Sequence, residues 1–341
     1  MFFWDPFVEA TLDHADKKDV PMQRGARMIV LISVILPPLA LVTVMWLAWG
    51  NGFNLLDLCL FAGMYLICGL GITIGFHRYF THKSFECPRW VKIMLGITGS
   101  MAVQGDLAWW CAVHRKHHQH SDDEEDPHSP HAGSESRFRR FLYAHIGWLF
   151  RIEQPDLQRY VPDLEADPDL HRITRLFPLW VFLSLAIPTV LGGVISGSWL
   201  GALTGLLWGG LVRIFFEHHV TWSVNSVCHV WGRQPYKTHD HSRNNPIVGV
   251  LALGEGWHNN HHAFPTSARH GLRWWQFDSS WVVIRLMSLL GMASRLKTPT
   301  AERMARSEVD HEQDSHLGPG EALLETKPGP VEQPSETLSG T

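Results

Sequence analysis

The sequence predicts an all-α integral membrane protein: four transmembrane helices in two hairpins, with a helical cytoplasmic cap that holds a di-metal site. Three observations lead there. In a chain of 341 residues, 45% of them hydrophobic, Lys and Arg are absent from Met28 to His77 and again from Leu176 to Val212. Each window is about twice the ~20 apolar residues that one membrane-crossing helix needs. Each is interrupted near its middle by small or polar residues, Gly50-Asn51-Gly52 in one and Gly192-Gly193 through Ser198 in the other. Histidines gather on the polar flanks of these windows in three groups: His77 with His82, His114 with His117 and His118, and His258 with His261 and His262.

The breaks divide the windows into spans at 28–49, 53–76, 176–194 and 199–219. Buried core helices of a soluble protein would not need both turns to be free of basic residues. Lys17, Lys18, Arg24 and Arg27, with the basic residues of the middle segment and those after the fourth span, mark the cytoplasmic side. Both termini and all three histidine groups are therefore expected in the cytoplasm. The first span is too long for a cleavable signal, contains Pro37-Pro38 and is followed by no small-residue cleavage site.

Around the spans, residues 1–27 read as a polar cytoplasmic lead-in and 28–297 as the main domain. The cap is expected from 77–175 and 220–297, and the Pro-, Gly-, Glu- and Ser-rich stretch 298–341 as a disordered tail. The apolar run from Trp90 to Val113 carries Gly96, Gly99, Gly105 and Asp106. It reads as an interfacial or buried helix, because a fifth span would put the histidine groups on opposite sides of the bilayer. Five cysteines without CxxC spacing are expected as free thiols. With a net charge of -4, no nucleic-acid partner is expected.

Spacing gives the chemistry. His114, His117 and His118 stand at i, i+3 and i+4 and share a helix face, as do His258, His261 and His262. The two triplets suggest arcs on either side of a metal pair. His77 and His82 are five apart, which an ideal helix would splay, so a frayed helix end around a metal is expected there. Asn225 lies one turn before His229 on the same face, and its amide could hold a metal-bound water. A structural zinc is complete with four ligands, and this supply is about double. Imidazole suits Zn, Cu, Fe or Ni, so ligand type alone leaves the metal open. Stepping back from His77 by fours gives Thr73, Gly69 and Tyr65, a stripe along the second span that could form a substrate tunnel, with Tyr65 limiting its length. Asp122, Asp123, Glu124, Glu125 and Asp126 are available to orient ligating imidazoles.

The order H-x4-H, H-x2-HH, N-x3-H and H-x2-HH after paired spans resembles the membrane-bound fatty acid desaturases, in particular their acyl-CoA Δ9 (stearoyl-CoA desaturase-like) branch in a bacterial form. Gly71-Ile72-Thr73-Ile74-Gly75, Asp126-Pro127-His128-Ser129, His145-Ile146-Gly147-Trp148 and Asn225-Ser226 share in the resemblance, which covers most of 50–280. It implies two non-haem irons and an O2-dependent removal of two hydrogens from a saturated acyl chain, leaving a cis double bond. The ligands carried over are His77, His82, His114, His117, His118, His229, His258, His261 and His262, with Asn225 acting through water. Trp110, Thr221 and Trp222 match positions that shape the tunnel beside the iron. The resemblance also implies a bacterial inner membrane and a long-chain acyl-CoA or acyl-lipid substrate.

The electrons must come from a separate protein, a ferredoxin, a cytochrome b5-like protein or a reductase, because no haem-binding HPGG motif or cysteine cluster is present. One departure concerns the carrier. Where animal acyl-CoA enzymes have polar or basic side chains that hold CoA, this chain has Gly105, Ala112, Val113 and Ile152-Glu153, with Arg151 nearby. CoA, the favoured carrier, would then rest on Arg115, Lys116, Arg137 or Arg139; a phospholipid carrier is the other possibility. Two alternatives keep the histidines and change the outcome: a hydroxylase or ketolase of alkanes, sterols or carotenoids, and a metal transporter. A transporter would place its ligands near the bilayer midplane.

Overall fold

A computed structural model describes residues 24–51, 54–151 and 154–309. The lead-in before Arg24, Ile152-Glu153 and the stretch after Val309 lie outside the described residues. In chain order the helices are α1 (Arg24–Asn51), α2 (Leu55–Thr81), α3 (Arg89–Ser100), α4 (Leu107–His120), α5 (Arg137–His145) and α6 (Pro168–Arg175). They continue as α7 (Phe177–Ser196), α8 (Trp199–Val230), α9 (Pro246–Leu251), α10 (His258–Ala263), α11 (Ser279–Leu289) and α12 (Ala301–Ser307). Among the described residues there is no strand, only isolated bridges such as Glu86 with Ser294.

Four of these helices are long and apolar enough to cross a membrane: α1, α2, α7 and α8. Asn54 caps α2 by accepting a hydrogen bond from the Leu56 amide at 2.9 Å. At the second hairpin Gly197 adopts φ 64° and ends α7, and Ser198 caps α8 through the Gly201 amide at 3.0 Å. The two helices approach so closely that a Cβ on Gly192 would lie 2.2 Å from the Gly201 carbonyl oxygen, so only glycine fits. Val42, Met45, Trp46, Phe182, Val190 and Ile195 project outward, as lipid-facing side chains would.

The sequence placed the ends of the second and fourth spans at 76 and 219, and the helices run on to Thr81 and Val230. Even with π-helical stretches at Gly71–Thr81 and Leu206–Val212, which rise less than 1.5 Å per residue, the 27 residues of α2 reach about 36 Å and the 32 of α8 about 45 Å. Both exceed the ~30 Å hydrocarbon core. Their polar extensions carry His77, His82, Asn225 and His229 beyond the apolar layer without a break in the helix.

The run from Trp90 to Val113 is two helices, not one. α3 ends at Ser100, and Asp106 starts α4 by accepting from the Trp109 amide at 2.9 Å. Phe76, Phe80, Leu95, Leu107, Cys111 and Ile284 form the main core, which locks the end of α2 against α3, α4 and α11.

The tail requires a correction. Residues 298–309 are ordered: α12 forms, the Lys237 amide donates to the Ser307 carbonyl at 2.8 Å, and the Val309 amide donates to the Pro235 carbonyl at 3.0 Å. Composition registers the lack of apolar side chains there, whereas this docking uses backbone groups.

Candidate metal centre

Residues 71–81 of α2 are π-helical. This widened winding, with about 4.4 residues per turn, brings positions five apart onto one side. The His82 amide accordingly donates to the His77 carbonyl at 3.2 Å, and the two rings lie 4.9 Å apart. The expected frayed helix end is thus a continuous helix of wider gauge.

The nine histidines converge in two groups. His77, His82, His114, His118 and His261 have one ring nitrogen each within 4.8 Å of one another, and so do His117, His229, His258 and His262. Each triplet is divided between the groups, which corrects the expectation of one arc per side. At 100° per residue, i and i+4 are about 40° apart, and i+3 lies about 60° to the other side. His114 and His118 therefore point into the first group and His117 into the second. On α10, His258 and His262 point into the second and His261 into the first.

Hydrogen bonding sets the tautomers. His77 Nδ1 is 2.5 Å from Glu255, His117 Nδ1 is 3.0 Å from Asp126, His229 Nδ1 is 2.9 Å from Asp122 and His262 Nδ1 is 2.6 Å from Asp240. A carboxylate can only accept, so these Nδ1 atoms carry the hydrogen and each Nε2 presents a bare lone pair. Those lone pairs turn inward. His77 Nε2 lies 3.0 Å from His261 Nε2, which is itself 2.8 Å from His118 Nε2; His229 Nε2 lies 3.0 Å from His258 Nε2. The Nε2 atoms of His82, His117 and His262 are buried without a hydrogen-bond partner among the described residues.

One ring nitrogen cannot satisfy two neighbours by hydrogen bonding, whereas a shared cation satisfies all of them. Two nitrogens about 2.1 Å from one ion and at right angles are about 3.0 Å apart, compared with about 3.4 Å at a tetrahedral angle. The observed 2.8–3.1 Å separations are the shorter kind. The residues fit a di-metal site, with five imidazoles in one group and four in the other.

The electrostatics agree with most of the ligands being held ready, the exception being His229, where burial is outweighed by Asp122, Asp126 and Asp240, which raise the ring above its ordinary value. Burial and neighbouring imidazoles hold His114, His118, His258 and His261 well below the usual histidine range, and burial lowers His262 to about 4 despite Asp240. Burial alone would raise Asp126, but His117 and His128 outweigh it and the carboxyl stays below its ordinary value. A histidine whose folded pKa is depressed contributes stability that is complete above its unfolded value and is lost as pH falls below it. Metal affinity falls in the same direction, because ligands must be deprotonated. Metal content and thermal midpoint are expected to fall together as pH drops below about 6.5, measured by elemental analysis and a melting series from pH 8 to pH 5.

A half-open, largely apolar cavity adjoins the two groups beside α2. Tyr65, Gly69, Thr73, Trp110, Thr221 and Asn225 line it beside His77, His114 and His258. Trp110 stacks on His114 at 5.1 Å, fixing that ring while it forms the wall. The Tyr65 hydroxyl donates to the Leu251 carbonyl at 2.8 Å, which fixes the ring in the cavity wall. Asn225 lines the same cavity as His258. Trp222 does not line the cavity: it packs against Val113 and Trp148, with His145, His218 and His219 around its ring.

The fatty acid desaturase family profile matches residues 53–288. The chain belongs to the fatty acid desaturase family. This desaturase is 40% identical over 277 residues to the hex-5-enoyl-[acyl-carrier protein] acetylenase of Moorena producens (strain JHB), covering 80% of this chain and 86% of that one. It is 41% identical over 231 residues to the sn-1 stearoyl-lipid 9-desaturase of Anabaena variabilis, covering 67% and 79%. It is 40% identical over 242 residues to the acyl-CoA C20 Delta5-desaturase of Anemone leveillei, covering 70% and 72%. The family makes it a membrane-associated oxidoreductase of lipid metabolism.

Sequence reasoning missed three supporting groups. Asp240 and Glu255 orient His262 and His77, and His270 Nδ1 stands 3.3 Å from Glu255. Gly254 places Glu255: at φ +112° a Cβ there would lie 2.3 Å from Asp278 Oδ1, so the turn requires glycine. The Gly254-Glu255-Gly256 run just before the third histidine group is the signal that could have flagged it. Of the acidic run, Asp122 and Asp126 reach imidazoles of the second group, whereas Asp123, Glu124 and Glu125 are exposed and reach neither group. His128 packs on His117, and His131 Nε2 meets the His229 carbonyl at 2.7 Å.

Proposed function

We propose that this desaturase inserts a cis double bond at C9 of a saturated, lipid-linked long acyl chain, using O2 and two non-haem irons. The observation that carries the reading is the pair of imidazole groups, with bare nitrogens about 3 Å apart, at the mouth of an apolar cavity. Iron, held by His77, His82, His114, His118 and His261 on one side and by His117, His229, His258 and His262 on the other, would supply the oxidising power that side chains lack. Asn225 would reach the second iron through a water. The protein's own contribution is placement. Trp110 and Thr221 flank the chain beside the metals, with Thr221 Oγ1 fixed by Gln104 Nε2 at 2.9 Å. The apolar wall keeps water from the reacting carbons.

A lipid carrier is favoured over CoA on two grounds. Ala112 and Val113 are buried, and Arg115 is committed to Asp163 and to the Phe80 and Tyr160 carbonyls. The relatives named as stearoyl-lipid 9-desaturases agree with this. We place the cap and both termini in the cytoplasm at the bacterial inner membrane, with electrons from a separate redox protein.

The test is lipid profiling of a desaturase-deficient bacterial host that expresses the chain with a ferredoxin or cytochrome b5-type donor. New C9 unsaturation in phospholipid acyl chains is expected, as a loss of two mass units. A gain of sixteen would indicate a hydroxylase, and no change despite good expression would defeat the reading. If Tyr65 closes the tunnel, Tyr65→Ala shifts the product profile toward chains longer by two or more carbons; an unchanged profile removes that role.

A further inference from the structure

We propose that Glu217 determines specificity by accepting a hydrogen bond from a hydroxyl carried near the methyl end of the acyl chain. The inference rests on the substrate reading above. Glu217 lies on α8 and is 3% exposed. Its Oε2 accepts from Arg213 Nη1 at 2.9 Å, and Arg213, itself fully buried, also donates to the Ser184 hydroxyl and the Met101 carbonyl.

That pairing accounts for one carboxylate oxygen. The other, Oε1, is buried and has no hydrogen-bond partner among the described residues. Glu217 lines the cavity, and a Cβ placed on Gly69 would stand 3.7 Å from Oε1. The surrounding wall is Ile72, Val220, Ala252 and Leu253. The hydroxyl of Tyr65, the other polar side chain at this depth, is already directed to the Leu251 carbonyl.

A buried acceptor without a donor is costly, and native structures rarely tolerate one without a role. An entirely apolar chain end would leave Oε1 unsatisfied, whereas a hydroxyl satisfies it. The depth is suitable: Gly69 is eight residues before His77, about 10 Å along the helix, since the π-helical winding from Gly71 onward rises less per residue than the 1.5 Å of an α-helix. That is roughly the length of the methyl-side half of a C18 chain whose middle carbons lie at the metals.

The experiment uses the full chain in the desaturase-deficient host with its electron donor, fed equal stearate and 16-, 17- or 18-hydroxystearate. The readout is the ratio of desaturated hydroxy product to desaturated plain product. Each variant is compared with wild type on the same chains, so uptake cancels. The wild-type ratio should exceed that of Glu217→Leu by roughly tenfold or more for at least one hydroxyl position. Because Glu217→Leu leaves Arg213 buried and unpaired, the double variant Arg213→Met with Glu217→Leu removes the pair together and should give the same low ratio. Glu217→Gln keeps an acceptor and should lie between. Identical ratios in wild type and all variants, or wild-type rejection of every hydroxylated chain while stearate is desaturated, would overturn the proposal. If the wild type desaturates neither chain, the substrate reading itself fails, and this inference with it.

Discussion

Replacing His118 by Ala is expected to abolish new unsaturation and to lower bound metal from two ions per chain to one or fewer. His118 Nε2 sits between His261 Nε2 at 2.8 Å and His114 Nε2 at 3.1 Å, so it joins α4 to α10 within one group. Without it, the facing nitrogens lose their shared cation and repel, and with one ion gone no two-metal chemistry remains. The informative control is its neighbour. His120 lies two residues on, outside both groups, with its nearest acidic partner Glu125 at 3.5 Å. His120→Ala should retain most of the activity and both metals. Elemental analysis of purified protein and product analysis decide the matter. Full metal content in His118→Ala, or equal losses in both variants, would show that the grouping does not define the site.

Replacing Arg78 by Leu is expected to destabilise the fold by about 3–5 kcal/mol and to weaken metal binding as well. Arg78 is fully buried and donates to Glu255, to Asp278 and, at 2.8 Å, to the Ala268 carbonyl. Without it two buried carboxylates lose their counter-charge. One of them is Glu255, which orients His77 through a 2.5 Å contact. Loss of such an outer partner costs typically 10–100-fold in metal affinity. Arg78→Lys should rescue only partly, because one ammonium cannot reproduce the planar fork that reaches both carboxylates and the carbonyl. Denaturant midpoints and metal titration separate the two effects. A variant with wild-type stability and affinity would mean that the ion pairs are ornamental.

The four spans and eight of the nine histidines were legible for simple physical reasons, and His229 joined them through the family resemblance. Absence of basic residues over windows of 50 and 37 positions has few explanations besides a bilayer, and imidazoles at repeated spacing have few besides metals. Four things were not legible. The π-winding at Gly71–Thr81 depends on close packing against α3 and α4 and leaves no spacing rule in the chain. The division of each triplet between two groups depends on where the opposing helices stand. Asp240 and Glu255 reach their imidazoles from loops with no periodic signature. Glu217 stands alone in the sequence with no motif around it, and only the structure brings its free oxygen to the cavity. Trp222 shows the opposite failure: carried over as a tunnel residue from a motif, it faces a neighbouring aromatic cluster.

The decisive measurement is the metal stoichiometry of purified, active, wild-type protein, read together with the coordination spectrum of the bound ions. Two iron atoms per chain are predicted, each with mostly nitrogen ligands at more than four positions, and activity should rise in proportion to iron loading. One ion per chain, or a tetrahedral zinc in protein that still forms double bonds, would contradict the paired centre on which this account is built.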